Sequence, residues 1–196
     1  MEIKKVYIGG PLFTNKEKEE LAEIDKVLRD AGYETFLPTR DGLLCVEIIK
    51  KLQEDGCSFE EASMLSLKLV TYLDIYQVCE SCDAAVISLN GRVPDEGAVS
   101  EAAICFRSNK PLVFYKDDYR TLFENKDNPL LTGLTELQVV KKIEDIPAEL
   151  KRLEGLSKSS FNKIIEDAKT LFTDYDSNNK DLKKLAELGR KIFLTN

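Results

Sequence analysis

Short apolar runs alternate with amphipathic segments along the first three quarters of the chain. Glycine, proline or polar turns bound the apolar runs, as is typical of strands buried in a sheet. The runs predict five strands, at residues 5–8, 34–37, 84–89, 111–115 and 137–140. Because helical segments separate these strands, the pattern predicts an α/β fold, in which a doubly wound, flavodoxin-like or Rossmann-like parallel sheet has helices on both faces.

The helical segments show two clear signals. Apolar residues between the first two strands repeat at helical spacing from Leu21 to Ala31. Ser58 and Glu61 have the spacing of a capping box, which predicts the start of a long helix ending near Ser81. Shorter helices are predicted at 45–54 and 97–108.

The last forty residues differ from the rest of the chain. A serine-rich segment at residues 155–160 resembles a linker, and the two segments after it have the apolar spacing of amphipathic helices. We therefore expect residues 1–154 to form the α/β domain and residues 155–196 to form a helical extension.

Composition favours a globular protein that acts on small molecules. Of the 196 residues, 43% are apolar and 32% are charged, which is typical of a folded domain. The net charge of -7 argues against nucleic acid as a partner, because nucleic-acid binders usually carry a basic face. No apolar run is long enough to span a membrane, and no signal peptide is recognisable.

Five cysteines, an odd number scattered among core-like segments, indicate reduced thiols and a cytoplasmic location. Cys79 and Cys82 form a C-x-x-C pair, but they lie one helical turn apart and have no second pair. Because the chain has no histidine, the usual nitrogen ligands are missing, and core packing explains the two cysteines better. We expect no metal and no organic cofactor.

Unusual residues follow the predicted strands, where the carboxyl ends of a parallel sheet meet at one edge. The first strand ends in Gly9-Gly10-Pro11, the second is followed by a turn at residues 39–42, and the third leads into the loop at residues 90–97. Glu101 falls in the first or second turn of the next helix, where the helix dipole favours an ionised carboxylate. Its neighbours on that helix are mostly small and apolar, so an ionised nucleophile is the chemical interpretation and a solvated side chain the alternative.

Asp74 is a second anomaly, because it falls in a stripe of apolar residues at helical spacing. Burying a carboxylate without a partner costs several kcal/mol, so such a residue usually has a partner or a task. A hydrogen bond to a nearby hydroxyl or backbone group is the simpler explanation.

Four segments together resemble the nucleoside 2-deoxyribosyltransferase family. They are Y-I-G-G-P-L-F at 7–13, L-P-T-R-D-G at 37–42, C-D-A-A-V-I-S-L at 82–89 and P-D-E-G-A-V-S-E at 94–101. The resemblance implies transfer of a 2'-deoxyribosyl group between nucleobases through a covalent intermediate on Glu101. It implies that Tyr7 holds this carboxylate and that Asp95 acts as the general acid.

The resemblance also implies the residues of a binding pocket and an oligomer. Asn128 would reach into the pocket of a neighbouring subunit, so the active unit would be a homo-oligomer. The chain departs from the family pattern at Ala103, where a glycine is usual, and in the spacing between Asp74 and Asp83. The substrate-binding residues implied are Gly9, Pro11, Phe13, Arg40, Asp41, Asp74, Gly97 and Asn128.

Three other functions are open at this point. A related N-glycosidase would hydrolyse a deoxynucleoside 5'-monophosphate, but a carboxylate at Asp95 would repel the phosphate dianion. A non-catalytic nucleotide sensor could use the same fold, although the carboxylate set is intact. A flavodoxin-like electron carrier fits least, because no phosphate-cradling loop follows the first strand. The expected ligands are therefore small-molecule deoxynucleosides and free nucleobases.

Overall fold

A computed structural model describes residues 2–119, 127–154, 161–177 and 181–194. The chain divides into two compact units, Met1–Leu156 and Ser157–Asn196. The serine-rich segment predicted as a linker, residues 155–160, lies outside the described residues.

The first unit is built on a parallel sheet of four strands, which confirms the predicted α/β class. The strands are β1 (Lys5–Gly9), β2 (Glu34–Phe36), β3 (Ala84–Ser88) and β4 (Leu112–Tyr115), in the order β2-β1-β3-β4. Among the described residues, this order is that of a flavodoxin-like sheet without its last strand, and its connections reverse direction on either side of β1.

Helices cover both faces of the sheet. The helices of this unit are α1 (Asn15–Asp30), α2 (Pro38–Asp41), α3 (Cys45–Glu54), α4 (Phe59–Tyr76), α5 (Glu96–Arg107), α6 (Pro129–Thr132) and α7 (Ile146–Glu154). A π-helical turn, Gln77–Ser81, continues α4, so the predicted long helix is present with a change of winding near its end. The capping box predicted for Ser58 and Glu61 is confirmed.

The pleat of β1 separates two apolar cores. Val6 and Ile8 belong to the core shared with α1 and α7, whereas Tyr7 belongs to the core shared with α5. Because successive side chains of a strand point to opposite faces, this alternation directs Tyr7, and not Val6 or Ile8, towards the helix that carries Glu101.

The prediction of a fifth strand at residues 137–140 is wrong. The structure has a single parallel bridge here, between Tyr115 and Val140. Glu136 and Leu137 adopt left-handed backbone conformations, with φ of 52° and 67°, which interrupt an extended run. In this irregular segment Val139 and Val140 pack against the cores, whereas Leu137 is 68% exposed.

Helix α4 leaves much of its apolar surface exposed. Ala62 and Ser66 are its buried residues, whereas Leu67 is 62% exposed and Tyr72 is 73% exposed. Most of the apolar surface of α4 therefore lies outside the core of this unit, although Val78, just after the helix, is buried.

The second unit contains two helices, α8 (Phe161–Ser177) and α9 (Leu182–Leu194), which pack against each other. Both of the predicted C-terminal helices are thus present. In the described part of the chain, no helix is both long enough and apolar enough to cross a bilayer.

Candidate active site

A cavity of about 600 Å³ lies at the carboxyl edge of the sheet. It collects residues from the segments after β1 and β2, from α4 and from the start of α5. The lining residues are Gly9, Gly10, Leu12, Phe13, Lys18, Pro38, Thr39, Gly42, Leu43, Leu44, Val70, Asp74, Asp95, Glu96, Gly97 and Glu101.

Glu101 and Tyr7 form the central contact of this cavity. The Tyr7 hydroxyl donates a 2.7 Å hydrogen bond to Oε1 of Glu101, across a separation of 94 residues in the chain. Tyr7 is fully buried and stacks on Phe36, with ring centroids 5.6 Å apart. The strand therefore fixes the phenol, and the phenol fixes one oxygen of the carboxylate.

The protonation of Glu101 is set by its surroundings. Burial raises the pKa of the Glu101 carboxyl to about 7, the hydrogen bond from Tyr7 opposes this rise, and the charges of Asp74 and Asp95 add to it. The helix dipole was expected to keep Glu101 ionised. However, Glu101 lies in the second turn of α5, beyond the first turn where the dipole acts most strongly, so burial outweighs it.

Gly9 lies directly beneath the carboxylate. A Cβ atom added to Gly9 would be 2.3 Å from Oε2 of Glu101 and 2.6 Å from Cδ1 of Ile87. No larger residue fits here without moving Glu101 or the sheet side chain. Because Gly9 has no side chain, it leaves space for the Glu101 carboxylate, and it also lines the cavity.

Two further carboxylates flank Glu101. Asp95 is the N-cap of α5, and its Oδ2 accepts a 2.8 Å hydrogen bond from the amide of Ala98. Asp74 comes from the last turns of α4, where burial raises its pKa. Among the lining residues in the described part of the chain, Lys18 carries the one positive charge, so the cavity is strongly acidic.

The other predicted site residues do not all line this cavity. Phe13 and Gly97 line the same cavity, and Phe13 is 77% exposed at its rim. Pro11 lines a neighbouring cavity of about 360 Å³ instead. The side chain of Asn128 caps α6 by accepting a 2.9 Å hydrogen bond from the amide of Leu130, and its contribution to a neighbouring subunit stays a prediction.

Arg40 and Asp41 differ most from expectation. The sequence placed both in the pocket lining, but here the wall is formed by Pro38, Thr39 and Gly42. Arg40 instead pairs with the exposed Asp41 and with the buried Asp25, whose desolvated charge needs a partner.

Sequence reasoning missed Lys18, Thr39 and Asp25. Lys18 and Thr39 carry no distinctive local signal. Asp25 did carry one, because it lies four residues after Leu21 and three before Leu28, on the buried face of α1.

A model of the nucleoside 2-deoxyribosyltransferase family matches residues 6–163. Among solved structures, a conserved protein from Enterococcus faecalis V583 is similar with a TM-score of 0.59 and 21% identity, over 78% of this chain and 99% of its own. At that identity the likeness shows the fold alone.

Two other solved structures carry the name of the activity. They are a 2-deoxyribosyltransferase from Bacillus psychrosaccharolyticus (TM-score 0.48, 20% identity, 73% of this chain and 90% of its own) and one from Leishmania mexicana (0.47, 16%, 79% and 99%). With TM-scores below 0.5, neither adds to the argument. The match to the family model covers well over half of the sequence, and on that ground the chain belongs to the nucleoside 2-deoxyribosyltransferase family.

Proposed function

We propose that this protein transfers a 2'-deoxyribosyl group between nucleobases by double displacement, with Glu101 as the nucleophile. Membership of the family supports a deoxyribosyltransferase-type activity on small-molecule nucleosides and nucleobases. The observation that carries the proposal is the partly buried Glu101 carboxylate, held by Tyr7 in a cavity that also contains Asp74 and Asp95.

In the first displacement, an oxygen of the ionised Glu101 attacks C1' of the bound deoxynucleoside. The C1'–N bond breaks, its electron pair leaves with the nucleobase, and the carboxyl proton of Asp95 goes to the base nitrogen. The product is a glycosyl ester on Glu101, with the sugar configuration inverted once.

In the second displacement, a nitrogen of the incoming base attacks C1' of the ester. The ester C–O bond breaks, Glu101 regains its charge, and Asp95 takes the proton from the incoming nitrogen. Two inversions give overall retention, as in retaining glycosidases. Tyr7 stabilises the carboxylate both before attack and as it departs.

The raised pKa of Glu101 has a consequence for the rate. With a pKa of about 7, only part of the enzyme carries the reactive carboxylate at neutral pH. Attack needs a proton on Asp95 and none on Glu101, so the reacting form holds one proton on this pair of carboxyls, and the enzyme loses it as the pH rises through about 7. We therefore expect kcat/KM to fall above about pH 7. A buried carboxylate also has little water around it, which makes it a better nucleophile once it is ionised.

The acidic cavity favours neutral substrates over phosphorylated ones. Asp74, Asp95, Glu96 and Glu101 all line it, and Lys18 is a single opposing charge. A 5'-phosphate dianion would be repelled by most of this lining. Hydrolysis of a deoxynucleoside 5'-monophosphate is therefore the second candidate, and a nucleotide sensor without catalysis is the third.

We further propose that the active form is a homo-oligomer in which α4 forms part of the interface. Tyr72 and Tyr76 are largely exposed on one side of this helix, whereas Val70 and Asp74 of the same helix line the cavity. A second subunit that covers the exposed side of α4 would remove apolar surface from water beside the site.

The test is chromatographic. Wild-type protein, Glu101→Gln and the control Glu23→Gln, which changes an exposed glutamate of α1, are incubated with thymidine and adenine, or with thymidine alone. We expect deoxyadenosine from the wild type and the control, and none from Glu101→Gln. Release of thymine without deoxyadenosine would identify a hydrolase. No product from any deoxynucleoside or monophosphate would refute an enzymatic function.

The covalent step has its own measurement. Without an acceptor base, the glycosyl ester should accumulate on the wild type, and mass spectrometry should find one deoxyribosyl group on a peptide containing Glu101. A product with retained configuration but no such adduct under rapid quenching would argue for a different route.

A further inference from the structure

Asp25 is a buried charge that the proposed reaction does not use. It lies on α1 with only 3% of its surface exposed. Its carboxylate accepts hydrogen bonds from the Thr35 hydroxyl (2.5 Å) and from Nη1 of Arg40 (2.8 and 3.0 Å), and it forms an ion pair with Arg29 (2.7 Å). A buried carboxylate is costly unless it is paired, so this set of contacts is specifically built.

Arg40 connects this buried charge to the short helix α2. Its Nη2 donates to the carbonyl of Thr35 at 3.0 Å, and its Nε and Nη2 donate to the carboxylate of Asp41 at 2.8 and 2.6 Å. The Asp41 carboxylate in turn accepts a hydrogen bond from the amide of Leu37 (2.9 Å). The guanidinium therefore joins α1, β2 and both ends of α2.

The helix held in this way is a wall of the cavity. Pro38 and Thr39 of α2, together with Gly42 just after it, line the site that contains Glu101. The turn is tight, because a Cβ atom on Gly42 would be 2.3 Å from the carbonyl oxygen of Pro38. Four residues make too short a helix to hold this shape by themselves.

We propose that Asp25 and Arg40 are positioning residues, which hold α2 in the conformation that closes the nucleoside site. This inference rests on the proposed function for the identity of the ligand. Arg40 acts through the backbone of residues 37–42 and does not touch the substrate. Without the network, α2 occupies its closed conformation for only part of the time.

The consequence for kinetics follows from that partial occupancy. A ligand that binds one conformation has an apparent affinity reduced by the fraction of molecules in that conformation. Once bound, the substrate meets the same Glu101 and Asp95, so kcat is preserved. A rise in KM with constant kcat is therefore the signature of a positioning role, whereas general destabilisation lowers the amount of active enzyme.

The experiment compares Arg40→Gln and Asp25→Asn with Arg29→Gln. Arg29 pairs with the same carboxylate but belongs to α1 and makes no contact with α2 among the described interactions, so it is the matched control. We expect KM for the deoxynucleoside to rise about tenfold in Arg40→Gln and Asp25→Asn, with kcat within about twofold of the wild type. Arg29→Gln should leave both constants near wild type. The double variant of Asp25 and Arg40 should be no worse than the more affected single variant, because both remove the same connection.

Amide hydrogen exchange gives a readout that does not depend on activity. The amides of Arg40, Asp41 and Gly42 donate to the carbonyls of Leu37 and Pro38, at 2.8 to 3.0 Å. Their exchange should be about tenfold faster in Arg40→Gln and unchanged in Arg29→Gln.

The outcomes separate this inference from the proposed function. Unchanged exchange, or faster exchange with an unchanged KM, would overturn the positioning role. If the wild type has no transferase activity, the proposed function fails, and the dissociation constant for thymidine replaces KM. A Kd that is equal in wild type and Arg40→Gln would then overturn the inference as well.

Discussion

Replacing Glu101 with glutamine should stabilise the protein above neutral pH, although it should remove the nucleophile. Burial disfavours the charged form of this carboxyl, whose pKa rises from 4.5 to about 7 in the folded protein. The folded state therefore keeps the proton at pH values where the unfolded chain has lost it. Stability from this group is complete below about pH 4.5 and is lost as the pH rises to about 7.

The size of the effect follows from the same values. Each pKa unit corresponds to about 1.4 kcal/mol, so ionisation of Glu101 should lower the free energy of unfolding by about 3 kcal/mol between about pH 4 and pH 8. Glutamine has nearly the same shape, can still accept from Tyr7, and does not ionise. Glu101→Gln and wild type should thus be equally stable at about pH 4, and the variant should be about 3 kcal/mol more stable at about pH 8.

The assay is urea unfolding at fixed protein concentration, at several pH values, with Glu23→Gln as the exposed control. The control changes an exposed side chain, so its stability should stay close to that of the wild type. A Glu101→Gln variant that is equally or less stable than wild type at pH 8 would contradict the reasoning. In that case the carboxylate would be well solvated or fully compensated by Tyr7.

Three further results are expected. Tyr7→Phe removes a hydrogen bond that lowers the pKa of Glu101, so the falling limb of kcat/KM against pH should move upwards from about 7. An unmoved limb would assign it to another group. Gly9→Ala places a Cβ 2.3 Å from Oε2 of Glu101, so single-turnover rates should fall about 100-fold while circular dichroism is preserved; an unchanged rate would show that the carboxylate position is not critical. Tyr72→Glu puts a charge on the exposed side of α4, so sedimentation should show that the oligomer dissociates, and the activity should fall with it. A variant that is still oligomeric would place the interface elsewhere.

Local patterns predicted most of the sheet and its helices. The apolar runs located β1 to β4 within a residue or two, and the spacing of Ser58 and Glu61 located the start of α4. These features depend on periodicity and capping, which neighbouring residues determine. The same signals did not predict residues 137–140 correctly. This segment is mostly apolar, but the left-handed backbone conformations of Glu136 and Leu137 interrupt an extended strand.

The candidate site was predictable where strand ends converge. Gly9, Asp95 and Glu101 follow strand ends of a parallel sheet, and chain direction alone brings such residues together. The contact of Tyr7 with Glu101 was implied only by the family resemblance. Arg40 followed a strand end as well, but its side chain turned towards Asp25. The position of Arg40 in the sequence predicted where its backbone lies. Its ion-pair partner, Asp25, belongs to a helix fifteen residues earlier, and only the folded structure brings the two side chains together.

The sequence by itself determined the fold class, the helix starts and the edge of the sheet at which a site could form, because these depend on periodicity, capping and strand direction. Only the tertiary structure decided three properties: the pKa of Glu101, the space that Gly9 leaves for its carboxylate, and the residue with which Arg40 forms its buried ion pair. Those properties depend on burial and on contacts between distant residues, such as Tyr7 and Glu101, 94 positions apart. Desolvation and charge pairing act through space, and no local pattern in the chain records them.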